Sequence, residues 1–193
     1  AGAASQWVGG GLGLVARADE SEALARSIED NAGVYFVPAF VGLGAPHWEP
    51  EARGTLFGLT RGTTRAHVVR AALEAMAYGT AEVLAAMEAD SGVATEELRV
   101  DGGAALNDGL MTFQAGLLGV PVRRPALVET TALGAAGLAG IASGVWENGA
   151  EFLAAQGEPR YFEPGMASAE AARLGAGWGR AVRAVTHWAR DLG

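Results

Sequence analysis

The clearest pattern of apolar residues along the chain predicts a long helix from about Thr64 to Asp90. Within it, apolar side chains and one threonine recur at alternating spacings of four and three residues, which is the period of one helix face. These positions are Val69, Leu73, Met76, Thr80, Val83 and Met87. Thr63 or Thr64 is a candidate N-cap, and Gly92 is a candidate C-terminal stop. The pattern therefore predicts one long helix with an apolar face against a core.

After this helix, short apolar runs alternate with further helical patterns. Residues 98–100 and 120–123 predict strands, and residues 107–118 and 131–143 predict helices, before a final helix over residues 168–190. Helices that alternate with strands in this way are typical of an α/β domain with parallel strands.

The pattern before the long helix is more broken. Residues 33–40 are rich in β-branched and aromatic side chains and predict a strand, and residues 55–60 predict a second, shorter one. Residues 19–29 predict a short amphipathic helix. Residues 2–9 predict the end of another helix, which the three glycines from Gly9 should break. Near the other end of the chain, residues 157–165 have the composition of a linker.

Charge and residue types exclude several classes of protein. The net charge of −8 argues against a nucleic-acid partner, because such proteins present a basic face. The chain has no cysteine and no lysine, so a thiol nucleophile and a phosphate-binding lysine are both excluded within it. The three histidines are far apart and the carboxylates form no paired motif, so we assign no catalytic and no metal-binding residue. No stretch is long and apolar enough to span a membrane, which favours a cytoplasmic protein.

One segment has the form of a ligand-binding turn, from Asp101 to Asn107. A predicted strand ends there, two glycines follow, and a helix begins. Glycine lets the backbone approach a ligand, and the N–H groups at a helix N-terminus favour an anion. Asn107 is either the N-cap of that helix or a donor to a ribose or phosphate. From the residues alone, an ordinary tight turn with Asp101 as a capping residue is the simpler interpretation.

Two other segments each allow two interpretations. The helix that follows Thr130 and Thr131 has glycines at 134, 137 and 140, which allow close approach either of another helix or of a flat ligand such as adenine. Packing is the simpler explanation. Residues 38–48 predict either a structured loop over a cleft or a Gly/Pro turn with Trp48 plugged into the core.

Taken together, these segments resemble the FGGY family of carbohydrate kinases. Residues 54–59, followed after seven residues by residues 67–74, match the family's second signature throughout. Further segments resemble the branch of the family that phosphorylates glycerol, with Val41 and His47 in place of a common Thr and Tyr. These segments are residues 33–40, 42–46, 52–54, 58–62, 98–104 and 131–136.

The resemblance implies an actin-like, ribonuclease H-like ATPase fold, with the whole of residues 1–193 in the family's C-terminal nucleotide-binding domain. It carries over four nucleotide contacts. Gly2 and Gln6 match an Ala-Gly-Ala-x-x-Gln-Trp segment, and Gly103 and Asn107 match an Asp-Gly-Gly-x-x-x-Asn segment. ATP, with Mg²⁺ bound to it, and glycerol are the implied ligands, and a homo-oligomer is compatible with the resemblance.

In such kinases the sugar-binding residues, the catalytic Asp and the first strands of this domain lie upstream of the matched segments. We therefore expect the 193 residues alone to be inactive and to lack part of their sheet. Two alternatives stay open. One is a kinase of the same family for another polyol or sugar, such as xylulose. The other is a non-catalytic, actin-like nucleotide-binding or scaffold module.

Overall fold

The computed structural model describes residues 2–17 and 19–191, which form helices α1 to α7 and strands β1 to β5. The helices are α1 (Gly2–Gln6), α2 (Glu20–Arg26), α3 (Arg65–Ser91), α4 (Asp108–Leu118), α5 (Thr130–Ala142), α6 (Gly149–Ala154) and α7 (Ser168–Arg190). The strands are β1 (Tyr35–Val37), β2 (Thr55–Phe57), β3 (Leu98–Arg99), β4 (Val122–Arg124) and β5 (Arg160–Phe162). A π-helical turn follows α1 at Trp7–Gly11, and a 3₁₀ turn precedes α4 at Gly103–Leu106.

The strands form two small sheets. β1 and β2 pair antiparallel, with Phe36 opposite Leu56. In the other sheet β4 lies in the middle, parallel to β3 and antiparallel to β5. The parallel pair confirms the predicted α/β alternation. Within the described residues β3 has β4 as its one neighbouring strand, which fits the expectation that the sheet is incomplete.

The long helix α3 runs from Arg65 to Ser91, within one residue of each predicted bound. Thr64 is its N-cap in a reciprocal capping arrangement, in which the backbone N–H of Thr64 donates to Nδ1 of His67 at 3.1 Å. Gly92 closes the helix in the left-handed conformation, with φ of 70°. The predicted apolar face is only partly buried. Its first half lies in the core, but Val83 and Met87 are exposed, so the core covers about the first half of the helix.

The glycines from Gly9 do not break the first helix as predicted. The chain continues through the π-helical turn to Gly11, and the N–H of Leu12 donates to the carbonyl of Trp7 at 2.8 Å. The Trp7 ring stacks on Phe36, with 5.0 Å between ring centroids. A methyl group on Gly11 would lie 2.7 Å from the Trp7 ring, so glycine is needed there for packing.

The segment predicted to be a linker, residues 157–165, contains β5, and α6 was not predicted at all. Phe162 of β5 is buried, and the guanidinium groups of Arg124 and Arg160 lie 5.1 and 4.9 Å from the centre of its ring. Residues 160–162 are therefore anchored to the sheet through a buried ring that two cations contact.

The final helix α7 packs against β1 and α3 through aromatic rings. Trp178 stacks on Tyr78 with 5.1 Å between ring centroids, and the Tyr35 hydroxyl donates to the carbonyl of Leu174 at 3.3 Å. Gly177 lies directly against the Tyr35 ring. Within the described residues no helix is both long and apolar enough to cross a membrane.

Glu74, the last residue of the family signature, ties the segment before β1 to α3. Its carboxylate accepts from Asn31 Nδ2 at 2.7 Å and from Arg70 Nε at 2.8 Å, and only 5% of the residue is exposed. Arg70 also donates to the carbonyls of Ile28 and Glu29, each at 2.9 Å. Burial raises the pKa of Glu74, although Arg70 and Asn31 act in the opposite direction.

We expect this raised pKa to appear in the pH dependence of stability. A carboxyl group whose pKa is higher in the folded than in the unfolded protein binds its proton more tightly when folded, so stability rises as the pH falls towards the ordinary value of 4.5. The free energy of unfolding of the wild type, relative to Glu74→Gln, should therefore increase from neutral pH to pH 4.5. Denaturant titrations of both proteins at a series of pH values measure this difference, and a constant difference would contradict it.

Several large apolar side chains around α5 and α6 face solvent. Leu138, Val145 and Leu153 are between 67 and 73% exposed. Apolar area left in water costs about 25 cal/mol per Å², and an unpaired strand edge favours association. These side chains and the edge at β3 together favour contact between copies of the chain.

We therefore expect the isolated 193-residue chain to self-associate as its concentration rises. Size-exclusion chromatography over a range of concentrations measures this, and Leu138→Glu should reduce it by placing a charge on the exposed α5 face. A monodisperse monomer with a sharp, high-temperature melt would show that the chain is a complete folding unit.

Candidate nucleotide-binding site

The turn from Asp101 to Asn107 has the backbone geometry of a ligand-binding loop. Gly102 has φ of 76°, which favours glycine, and its N–H donates to the carbonyl of Val128 at 2.8 Å. The 3₁₀ turn begins at the next residue, the exposed Gly103. A methyl group on Gly103 would meet no atom within 4 Å, so the protein leaves open space beside this backbone.

Asn107 is the N-cap of α4. Its Oδ1 accepts from the N–H of Leu110 at 2.8 Å, which is one of the two roles the sequence left open. The cap uses the amide oxygen and leaves the two Nδ2 donors for another partner. The capping role and a contact to a ligand are therefore compatible in the same side chain.

The N-terminus of α4 does not offer free N–H groups to an anion, contrary to expectation. The carboxylate of Glu22 on α2 accepts from the N–H of Asp108 at 3.1 Å and of Gly109 at 3.0 Å. Together with the Asn107 cap, oxygens of the protein thus accept from the first three N–H groups of the helix. The remaining backbone donors of this segment are at the start of the 3₁₀ turn, where the first N–H groups have no partner inside the turn.

Asp108 attaches the same end of α4 to the sheet. Its carboxylate lies 2.8 Å from Arg124 of β4 and 2.7 Å from Arg160 of β5. Burial acts to raise the pKa of Asp108, but the hydrogen bond and charge of Arg124 and Arg160 outweigh it, so this pKa lies below its ordinary value. The carboxylate is therefore charged at neutral pH and fixes α4 relative to β4.

The start of α5 meets the same turn. The hydroxyl of Thr130 donates to the carboxylate of Asp101, so Asp101 supports the turn and the start of the helix. Two of the three glycines of α5 are used for packing, whereas a methyl group on Gly134 would meet no atom within 4 Å. Methyl groups on Gly137 and Gly140 would each lie 2.5 Å from an aromatic ring, that of Phe152 or Trp146. The packing interpretation of these two glycines is therefore confirmed.

Gly2 and Gln6 are both exposed on α1. Gln6 lies at an open cavity of about 640 Å³, together with Gly9, Gly10, Gly13 and residues 15–17. A methyl group on Gly2 would meet no atom within 4 Å. These two residues and the pair Gly103 and Asn107 lie on separate segments, and α2 connects them. Glu20 accepts from the N–H of Ala16 at 3.0 Å, and Glu22 binds α4.

The loop over residues 38–48 does not place Trp48 in the core. Trp48 is 75% exposed and has φ of 49°, so that alternative is wrong. His47 Nε2 lies 3.0 Å from Glu82 Oε1, and Arg190 donates to the carboxylate of Glu49 at 3.1 Å. These contacts attach the loop to α3 and α7, and they give His47 a structural partner.

The sequence predicted the turn but not Glu22, the residue that accepts from the first N–H groups of α4. Glu22 lies 86 residues before Asp108 and is one of 22 acidic residues in the chain. Nothing in its immediate neighbourhood distinguishes it from a solvent-exposed glutamate. Only the packing of α2 beside α4 reveals its partners.

The C-terminal domain of the FGGY family of carbohydrate kinases matches residues 1–143. The glycerol kinase of Dechloromonas aromatica is 61% identical over 188 residues, which are 97% of this chain and 38% of that protein. The glycerol kinase of Burkholderia multivorans is 58% identical over 191 residues, which are 99% of this chain and 38% of that protein. The chain thus spans 38% of the length of these relatives.

Solved structures agree with this. The crystal structure of Plasmodium falciparum glycerol kinase with ADP superposes with a TM-score of 0.83 at 30% identity, over 95% of this chain and 37% of that one. The xylulose kinase of Rhodospirillum rubrum superposes with a TM-score of 0.75 at 28% identity, over 98% of this chain and 39% of that one. The fold is therefore the actin-like one expected, and the chain belongs to the FGGY family of carbohydrate kinases, as a part of its C-terminal region.

Proposed function

We propose that the chain is the nucleotide-binding, C-terminal part of an ATP-dependent glycerol kinase, which forms glycerol 3-phosphate. The observation that carries this proposal is the 61% identity to a glycerol kinase over 97% of the chain. The ADP named for the related Plasmodium structure supports a nucleotide as one ligand. All of residues 1–193 are assigned to this part of the enzyme.

In this proposal the chain supplies contacts to the adenosine and the phosphates of ATP, and one wall of the cleft. Gly103 lets the nucleotide lie against the backbone at the start of the 3₁₀ turn, and Asn107 donates from Nδ2 while its oxygen caps α4. Gln6 and Gly2 contribute the opposite wall, from α1. The net negative charge of the chain does not prevent phosphate binding, because N–H donors contact the phosphate directly and salt screens the more distant charges.

The chemistry itself is assigned to residues outside this chain. A carboxylate there takes the proton from the terminal hydroxyl of glycerol, and the freed oxygen attacks the γ-phosphoryl group of ATP. Mg²⁺ enters as part of the ATP substrate. Within residues 2–17 and 19–191 no group of three or more carboxylate or histidine side chains is placed to hold a metal ion.

A coupled assay of ADP formation tests this function. The full-length kinase should turn over ATP when glycerol is added, and much more slowly with xylulose or other polyols. The 193-residue chain alone should show no turnover dependent on glycerol. Preference for another polyol would assign the enzyme to a different branch of the family. Absence of turnover with every acceptor, together with retained ADP binding, would favour a nucleotide-binding scaffold.

A further inference from the structure

Glu22 makes three polar contacts from the first turn of α2. Its two carboxylate oxygens accept from the N–H groups of Asp108 and Gly109, at 3.1 and 3.0 Å, and Oε1 also lies 3.0 Å from Arg26. A carboxylate at a helix N-terminus is favoured both by hydrogen bonds and by the helix dipole. Glu22 therefore holds the first turn of α4 in place.

This contact acts directly on the proposed nucleotide turn. Asn107 precedes Asp108 by one residue, and its side chain caps the same helix end through the N–H of Leu110. When the first N–H groups of a helix lose their acceptors, that end frays. Without Glu22, the orientation of Asn107, and of the 3₁₀ turn that begins at Gly103, would be less well fixed.

Helix α2 also contacts the segment beside Gln6, on the other wall of the proposed site. At the N-terminus of α2, Glu20 accepts from the N–H of Ala16, and Ala16 lines the cavity at Gln6. Ala25, on the last turn of α2, is buried in a core cluster with Leu110 of α4. Thus α2 connects the segment beside Gln6 with the segment that contains Asn107, and Glu22 is its polar contact to the latter.

We propose that Glu22 is a positioning residue for the nucleotide. Glu22 fixes the N-terminus of α4 to α2, and α2 also contacts the segment beside Gln6. In this way Glu22 holds Asn107 and Gly103 in a fixed position relative to Gln6. This proposal rests on the proposed nucleotide-binding function. In this proposal Glu22 acts through the N–H groups of α4 and is assigned no contact to ATP or glycerol.

Glu22→Gln in the full-length kinase tests the proposal. Glutamine has nearly the same shape but lacks the charge and has only one acceptor oxygen, so one of the two N–H groups loses its partner. Because hydrogen bonds to charged groups are strong, we expect the Kd for ADP, measured by calorimetry, to rise on the order of tenfold. The KM for ATP should rise with it, while kcat and the KM for glycerol change little. Glu22→Asp, which keeps the charge, should give a smaller rise.

Glu88→Gln is the matched control. Glu88 also accepts from a backbone N–H, that of Thr95 at 2.7 Å, but on α3 and outside the proposed site. Because glutamine keeps an acceptor oxygen for the N–H of Thr95, this variant should lower the melting temperature less than Glu22→Gln does, and it should leave the Kd for ADP unchanged. If Glu22→Gln fails to fold, Glu22→Asp and hydrogen exchange of residues 103–111 in the presence of ADP decide the question.

The outcomes separate the two proposals. Unchanged ADP affinity in both Glu22 variants, with a wild type that binds ADP, would overturn the role of Glu22 and leave the proposed function intact. An equal loss of ADP and glycerol affinity would show a general structural role and would also overturn it. A full-length wild type that binds no ADP would overturn the proposed function and this proposal with it.

Discussion

Gly177→Ala is expected to lower the free energy of unfolding by about 3 kcal/mol, although alanine is the better helix former. A methyl group on Gly177 would overlap the hydroxyl end of the Tyr35 ring. Tyr35 is 7% exposed and has little room to move, because α7 and Tyr78 surround it. Relief of the overlap would also displace the Tyr35 hydroxyl from the carbonyl of Leu174.

Gly175→Ala is the control for this substitution. Gly175 lies on the same helix, two residues earlier, and a methyl group there would meet no atom within 4 Å. This variant should gain about 0.5–1 kcal/mol, because alanine loses less backbone entropy in a helix than glycine does. Chemical denaturation of both variants in the same background measures the contrast. Equal effects of the two substitutions would show that α7 does not pack on Tyr35 as described.

The elements that could be predicted from the sequence are those specified by local chemistry. The bounds of α7 match the prediction, and α3 is flanked by the expected Thr64 and Gly92. Two short elements, α6 and β5, were not predicted. They differ in that α6 has a local sequence signal, whereas β5 has none. The pattern Asn148 followed by Glu151 is a capping signal that does mark the start of α6, since Asn148 accepts from the N–H groups of Ala150 and Glu151. β5 has no such signal, because its three residues become a strand only by pairing with β4.

The candidate site also combines local features, which the sequence predicts, with a long-range contact, which it does not. The glycines and the N-cap of the Asp101–Asn107 turn are local features, so the turn could be identified from the sequence. Whether the N–H groups of α4 are free for an anion depends on Glu22, which approaches from another helix. The sequence alone therefore could not show that the first N–H groups of α4 are already paired with Glu22 and Asn107.

The position of Gly103 makes a sharp test of the proposed nucleotide site. Gly103→Val is expected to weaken ATP binding to the full-length kinase on the order of a hundredfold, or about 2.8 kcal/mol. The glycine backbone is not in the left-handed region, and a side chain there would meet no protein atom within 4 Å. The fold should therefore accept valine, whereas a nucleotide lying against this backbone would collide with the branched side chain. Asn107→Ala, which removes polar contacts and a cap, should weaken ATP binding less.

Gly165→Val separates a collision with the ligand from a general effect of the valine. Gly165 also has open space beside it and lacks a positive φ. It lies in the loop before α7, on a cavity that Gly109 and Leu110 also line, and it is not one of the four proposed nucleotide contacts. Titration of each variant with ATP and with glycerol gives the two affinities, and thermal melting checks the fold. We expect glycerol affinity to stay near wild type in both variants, and ATP affinity to fall only in Gly103→Val. Because the protein itself leaves room at Gly103, normal ATP affinity in that variant would mean that the nucleotide does not lie against this turn.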